Sequence, residues 1–503
     1  MIAGLMNFIN LSTLTFVIIG TAWGMLAGAI PGISASLAVI LIMPFTYGMS
    51  GVQSIIVLVA VYVGGMCGGS ISAILLRTPG TPTAVCTVFD GYPMAQKGQA
   101  GKALGLAITA SAVGGIFSGI VMVIFAPVLA GVALRFQSAE FFALGLLGLS
   151  CTASMATDNW RKALISGCVG VLISTIGLDS ISGAKRFTFG LAWMADGIDF
   201  VPMMIGAYAF AEVFRNLLER KDPNVKKEKT SGNMEIIGFF HIIKNWVTYL
   251  KSSIIGTIVG VIPAAGGSIA SFISYGEAVR ASKEPETFGK GNELGIVAAE
   301  AANNAAVGGS LVPAITLGIP GGTVTAIMLA AFTMHGLAPG PMLITNQPDL
   351  LYSILWAIVL ASLLLYVVGK VLAKQFEKVA SLNYHYIGTT MLILGIVGSY
   401  TLRGSVRDVA IMLAFSVIGL LLERYGYSIP TMILGLVLGP ICETGFRRQL
   451  IISQGDWTVF FTRPISCVII VVSVIAFVVP FFRAYRQRKA KEKKVAEAVL
   501  LGE

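Results

Sequence analysis

Apolar residues in this chain come in long unbroken runs separated by short polar stretches. Neither the strict alternation of a strand nor the one-sided stripe of a surface helix dominates. Runs at 52–76, 103–132, 141–157, 162–178, 198–217, 351–372, 386–400, 408–422, 429–442 and 464–482 predict helices in a hydrocarbon core of roughly 30 Å. Two further runs are broken inside: 12–47 at Pro31-Gly32, and 254–274 at Pro263 with Gly266-Gly267. After Val63-Gly-Gly-Met-Cys-Gly-Gly-Ser70 comes Leu76-Arg-Thr-Pro-Gly-Thr-Pro-Thr83, whose two prolines exclude a regular helix. Phe89-Asp-Gly-Tyr-Pro-Met-Ala-Gln-Lys-Gly98 reads as a polar turn, from Asp90-Gly91 and Pro93. Residues 179–196 read as a loop in which Asp179 and Arg186 are expected to be ordering partners.

The interruptions recur. Gly24-x-x-x-Gly28-x-Ile30-Pro31 returns 232 residues later as Gly256-x-x-x-Gly260-x-Ile262-Pro263, with Ser36 opposite Ser268. Gly68-Gly69-Ser70 returns as Gly308-Gly309-Ser310, and Thr78-Pro79-Gly80-Thr81 is echoed by Ile319-Pro320-Gly321-Gly322-Thr323. Paired interruptions in two halves of a membrane protein are the best sequence pointer to a transport site. The expected fold is an all-α polytopic integral membrane protein of roughly eleven or twelve membrane segments. It would hold two pseudosymmetric repeats, expected to be inverted, with broken helices or re-entrant hairpins. The boundaries read as a first repeat at 12–217, a basic linker at 218–250, a second repeat with C-terminal spans at 251–482, and a basic tail at 483–503.

Composition agrees. Charged residues make up 12% of the 503 residues and hydrophobic ones 55%, where a soluble domain carries about 25% charged residues. The net charge of +10 sits mainly in 215–251 and 483–494. It predicts a cytoplasmic location for both segments rather than nucleic-acid binding. Six cysteines at 67, 86, 151, 168, 442 and 467 form no CxxC pair, so neither zinc nor a disulfide framework is indicated. No Lys or Arg precedes Arg77, so a secretory signal peptide is not expected.

Candidate chemistry gathers at the interruptions. A helix starting at membrane depth offers free N–H groups and a positive dipole end to a carboxylate, and one ending there offers carbonyls to Na⁺. The substrate-binding candidates are Pro31, Gly32, Ser34, Ser36, Thr78, Gly80, Thr81 and Thr83 in the first copy. In the second they are Pro263, Gly266, Gly267, Ser268, Gly321, Gly322, Thr323 and Thr325. The bland alternative is kinking and glycine-mediated packing, which Gly24-x-x-x-Gly28 and Gly256-x-x-x-Gly260 fit equally. Glu300, Asn303 and Asn304 are polar within an apolar run, so they are the ion-coupling candidates, with Na⁺ placed near Asn303 and Asn304. Arg77 suits either an anionic substrate or the membrane interface. No P-loop, HExxH or GxSxG is present, so neither an ATPase nor a hydrolase is indicated.

The stretches Phe89–Gly105, Arg186-Phe-Thr-Phe-Gly190 with Asp196–Pro202, Phe288-Gly-Lys-Gly291, Glu300-Ala-Ala-Asn-Asn-Ala305 and Leu317-Gly-Ile-Pro-Gly321 are similar to the large membrane subunit of bacterial tripartite tricarboxylate transporters. Pro263-Ala-Ala-Gly266 departs from the family's Pro-Gly-Ala-Gly. The resemblance implies no enzyme and no cofactor beyond a coupling ion, Na⁺ or H⁺. It implies import of tricarboxylates or related organic carboxylates across the bacterial inner membrane. It also implies two partners, a periplasmic substrate-binding protein and a small membrane subunit of about four spans. The rival readings are a membrane-embedded enzyme or assembly factor using the same polar cavity, and a passive anion channel.

Overall fold

The computed structural model describes residues 10–30, 33–77, 79–133, 135–152, 160–218, 235, 237, 239–262, 266–318, 320–337, 339–340, 343, 346–380 and 384–478. Pro31, Gly32, Thr78 and Pro263, most of the basic linker and the whole basic tail lie outside these residues. In chain order the helices are α1 (Leu11–Gly28), α2 (Ala35–Ile42), α3 (Gly51–Leu76), α4 (Val85–Gln96), α5 (Ala100–Ala133), α6 (Ser138–Thr152) and α7 (Trp160–Ser174). There follow α8 (Phe200–Met204), a π-helical turn at Ile205–Phe210, α9 (Ala211–Leu218), α10 (Phe239–Lys244), α11 (Trp246–Val261), α12 (Gly266–Ala281) and α13 (Glu293–Leu317). The last are α14 (Thr323–Met334), α15 (Pro348–Ala380), α16 (Tyr384–Arg403), α17 (Val406–Arg424), α18 (Ile429–Ile452), α19 (Val459–Thr462) and α20 (Pro464–Val478). Among the described residues four helices are long and apolar enough to cross a membrane, and seven more are apolar but shorter.

Two compact units emerge. One contains residues 1–135 and 199–421, the other 136–198 and 422–503. Both repeats place their broken helices in the first unit.

In the first unit, α1 runs parallel to α3. A Cβ on Gly20 would meet Val57 O and Ala60, and one on Gly28 would meet Gly65 O and Gly68. Helix α2 runs back: Trp23 Nε1 donates to Ala38 O at 3.1 Å, and Ser54 Oγ donates to Thr46 O at 3.0 Å. Thus α1 and α2 form a helical hairpin. The second copy repeats it. Gly256 and Gly260 of α11 lie on Ala302 and Ala306 of α13. Ser271 and Ser274 of α12 donate back to Ala299 O and Ala298 O at 3.1 and 2.8 Å.

Next to each hairpin stands a through-helix. Helix α3 starts at the N-cap Ser50 and ends at Arg77 in the left-handed region. The chain then doubles back, so that Gly80 N donates to Gly69 O at 3.2 Å, and α4 climbs beside α3 with Gly91 on Ile74. Helix α13 starts at the N-cap Asn292 and ends at Gly318, whose N–H bonds Ala314 O and Pro313 O. Gly321 then returns to the level of Ser310 before α14 begins.

The two through-helices are antiparallel. Tyr62 meets Ser310 at 3.1 Å in the middle. Asp90, beyond the end of α3, accepts from Gly291 N and Asn292 N at the start of α13. His335, beyond α13 and α14, reaches Thr46 before the start of α3 at 2.9 Å. The repeats are therefore inverted. Their closing helices obey the same relation: α5 and α15 cross antiparallel, with Gly115 on Ser362 and Ile108 on Gly369.

One local expectation fails. Phe89–Gln96 is not a turn but the body of α4, with Pro93 inside it. The Asp90 side chain caps a helix elsewhere in the chain instead of its own backbone, so the Asp-Gly pair never competes for a turn. In the second unit, α18 packs on α6 and α7. The 177–186 loop is ordered as expected: Gly177 and Leu178 pair with Arg186 and Lys185, and Arg186 ion-pairs with Asp179 at 2.5 Å. Arg447 adds a second ion pair to Asp179 at 2.6 Å.

Candidate functional site

Four helices in the first unit begin at interior breaks: α2, α4, α12 and α14. Each exposes N–H groups that have no intrahelical partner. Two of the helix starts take their caps from hydroxyls. Ser34 caps α2 by accepting from Leu37 N at 3.2 Å, and Thr325 Oγ1 both accepts from Gly322 N and donates to Gly322 O at the start of α14. At the start of α12, Gly266 has φ +57, a conformation that suits glycine.

The glycines at the breaks divide by role. Gly80 sits against Gly28 O, the carbonyl end of α1. Its counterpart Gly321 sits against Gly260 O near the end of α11, where an added Cβ would lie 2.9 Å away and only 2.6 Å from Ser310 Cβ. Both are close-approach glycines and belong to packing, as do Gly24, Gly28, Gly256 and Gly260. By contrast, Gly322 has open space around it and an extended φ of −176°.

The predicted residues assemble as two groups. In one, the N-terminus of α12 meets the segment leading into α4 and the middle of α13. A Cβ on Gly267 would come within 2.8 Å of Asn303 Oδ1 and Met66 Cε, and 3.2 Å of Thr83 Cγ2. Thr81 is buried, its Oγ1 2.8 Å from Thr83 Oγ1. Ser268 is half-buried beside Gly267. In the other group, α14, which begins after Gly321 and Gly322 at Thr323, packs on α2, which begins after Ser34 and carries Ser36. Ser36 is buried, and Thr323 is half-buried. The two groups are counterparts under the inversion.

Chemistry breaks the symmetry. Glu300, Asn303 and Asn304 are all completely buried, and at the equivalent turn of α3 stand Ala60, Val63 and Gly64. Glu300 accepts from Thr87 Oγ1, from Ser111 Oγ at 3.1 Å and from Asn303 Nδ2 at 3.4 Å. Asn303 Nδ2 also donates to Met66 O at 3.1 Å, and Asn304 Nδ2 to Val63 O at 3.2 Å. These carbonyl partners fix which end of each amide is nitrogen. The remaining oxygens, Asn303 Oδ1 and Asn304 Oδ1, are buried with no hydrogen-bond partner. An unsatisfied buried carbonyl costs about 1–3 kcal/mol, and a lone buried carboxylate costs far more. Such groups are candidates for contact with an ion or a polar ligand.

Sequence reading missed Thr87, Ser111 and Asp90. All three are buried polar residues on apolar helices, the criterion that singled out Glu300. Asp90 accepts at Oδ1 from Gly291 N (2.9 Å) and Asn292 N (2.7 Å), and at Oδ2 from Tyr275 OH (2.8 Å). It fastens α4 to the connector between α12 and α13. Among the described residues no three His, Cys, Asp or Glu side chains gather as a metal cluster. The ion suited to the amide oxygens is a hard, oxygen-ligated one.

Residues 14–434 match the model of the tripartite tricarboxylate transporter TctA family. The chain is 36% identical over 473 residues, 94% of each chain, to an uncharacterized 52.8 kDa protein in the TAR-I ttuC' 3'region of Agrobacterium vitis. It is 36% identical over 236 residues to an uncharacterized protein in the TAR-II ttuC' 3'region of the same organism, covering 46% of this chain and 98% of that one. No solved structure matches. The family is one of transporters, not enzymes, and the match covers both inverted repeats, all four interior helix starts and the Glu300–Asn304 turn: the chain belongs to the tripartite tricarboxylate transporter TctA family.

Proposed function

We propose that this large membrane subunit imports an organic carboxylate across the bacterial inner membrane, driven by a Na⁺ or H⁺ gradient and supplied by a periplasmic binding protein. A small membrane subunit completes the assembly. The observation that carries the reading is the fully buried Glu300–Asn303–Asn304 turn, with two unpartnered amide oxygens, next to the paired N-termini of α12 and α4.

The substrate carboxylate binds where those N-termini meet, held by N–H groups of Gly266 and Gly267 and by the Thr81 and Thr83 hydroxyls. Helix ends favour an anion there without distinguishing one carboxylate from another. The coupling ion sits one helical turn along α13. Na⁺ would use Asn303 Oδ1 or Asn304 Oδ1; H⁺ would ride on Glu300. Either neutralises a charge that the apolar interior resists. The connector at 282–292 and the linker end at 239–251 lie on the face that carries Lys97, Lys102, Lys244, Lys251, Lys283 and Lys290, which the positive-inside rule assigns to the cytoplasm. The inverted repeats then supply alternating access by exchanging roles.

The test is uptake of labelled di- and tricarboxylates into cells, with and without the binding protein, in Na⁺ or choline medium and with the proton gradient collapsed. Accumulation that needs the binding protein and one of the two gradients is expected. No accumulation with any carboxylate would sink the proposal.

A further inference from the structure

At the end of the first unit that carries Lys97 and Lys290, α4 and α12 leave a cleft of about 580 Å³. That is the size range of a small-molecule site. Its walls are Arg77, Phe89, Tyr92, Gln96, Tyr275 and Phe288. Arg77 is held unusually: it is the last residue of α3's turn, at φ 58, a backbone state that costs a non-glycine residue about 1 kcal/mol or more. Its guanidinium lies 5.7 Å from the centre of the Tyr92 ring. Among the described residues no carboxylate pairs with it. Asp90, buried behind the cleft wall, already serves Gly291 N, Asn292 N and Tyr275 OH. Phe89, Tyr275 and Phe288 form edge-to-face pairs at 5.6 and 5.7 Å, which stiffen the opposite wall.

The cleft is also joined to the buried site. Glu300 bonds Thr87; Asp90 stands three residues along α4 on the same face; Asp90 bonds Tyr275, whose ring lines the cleft. A single exposed guanidinium, backed by an aromatic ring and left without an acid, has the geometry that suits a carboxylate.

We infer that this cleft is a second carboxylate site, in which Arg77 over Tyr92 holds the anion at the cytoplasmic mouth of the pathway, where it leaves, distinct from the helix N-termini that hold it inside. The inference rests on the transport reading only for its place on the route; carboxylate binding itself is tested without transport.

The full chain in nanodiscs of neutral phosphatidylcholine is treated with phenylglyoxal, and modification of Arg77 is followed by mass spectrometry. Citrate is the probe and uncharged triethyl citrate the control. Citrate at about ten times its Kd should slow labelling of Arg77 about tenfold, and triethyl citrate should not. Tyr92→Phe should keep the protection and Tyr92→Leu should lose most of it. Glu300→Gln should leave the protection intact even where uptake is gone, which separates this site's failure from failure of the coupled-transport reading. Labelling of Arg77 unaffected by citrate overturns the inference. So does protection by phosphatidylglycerol in the discs without protection by citrate, because the cleft would then hold a lipid headgroup.

Discussion

Glu300 is the residue to which the proposed coupling assigns the central part. It is buried, and its oxygens are served by Thr87, Ser111 and Asn303. Glu300→Gln keeps the shape and removes the charge, so ion-driven uptake should fall more than about tenfold, a factor worth ~1.4 kcal/mol, while membrane protein level stays near normal. Quantifying both in one preparation checks this, and normal uptake would remove Glu300 from the site. Asn303→Ala takes away an unpartnered oxygen and a donor to Glu300 together. If Na⁺ is the coupling ion, the Na⁺ concentration for half-maximal uptake should rise several-fold. If H⁺ is, that dependence should not exist in either protein. Glycine at the breaks makes a sharper contrast. Gly321→Ala drives a Cβ into Ser310 and Gly260 O, and overpacking of this kind costs about 1–3 kcal/mol. Gly322→Ala meets nothing within 4 Å. A thermal-shift assay in detergent should show a lowered Tm for the first and little change for the second.

At the scale of elements, Asp90 decides whether α4 stays attached to the start of α13. Asp90→Ala strands three donors, each costing about 1–3 kcal/mol when buried, and frees the helix that carries Thr87. It should lower Tm and uptake together. Asp90→Asn keeps an acceptor for Gly291 N and Asn292 N and should lose much less. In the second unit, hydrogen bonds from Ile181 N, together with Arg447 and Arg186, hold the Asp179 carboxyl far below the usual carboxylate range. A depressed folded value stabilises above the unfolded pKa and is lost only as pH falls through the folded one. The 177–186 loop should therefore keep its protection from proteolysis through mildly acid pH, and Asp179→Asn should abolish it already at neutral pH.

At the scale of the whole molecule, the inversion of the repeats makes a topological prediction. Ser50 at the start of α3 and Lys290 before α13 lie at opposite ends of the first unit. In a background with the exposed Cys168 replaced, Ser50→Cys should react with a membrane-impermeant maleimide from one side of sealed vesicles and Lys290→Cys from the other. Labelling of both from the same side would contradict the inverted arrangement. Lys290→Cys should react from the cytoplasmic side, as the distribution of lysines requires.

Much of this was written along the chain. Apolar runs with few charges dictate helices in lipid, because every backbone group must be satisfied within the segment. The recurrence of Gly24–Ser36 at Gly256–Ser268, and of Gly80 at Gly321, disclosed the repeat and its breaks. Glu300, Asn303 and Asn304 stood out because polar groups in such runs are costly. What one dimension could not hold was direction. Whether Gly28 ends a crossing helix or a hairpin arm depends on where Ala35–Ile42 packs, and only Trp23 on Ala38 and Ala35 on Gly65 decide that. Asp90 read as a turn because its partners, Gly291 and Asn292, lie some 200 residues away. Gly80 and Gly321 read as binding candidates, and only tertiary contact shows that both also stand where helices approach closely. Composition and period are local and survive in the sequence, whereas the pairing of distant segments, and with it the sharing of the site between two inverted copies, exists only once the chain has packed.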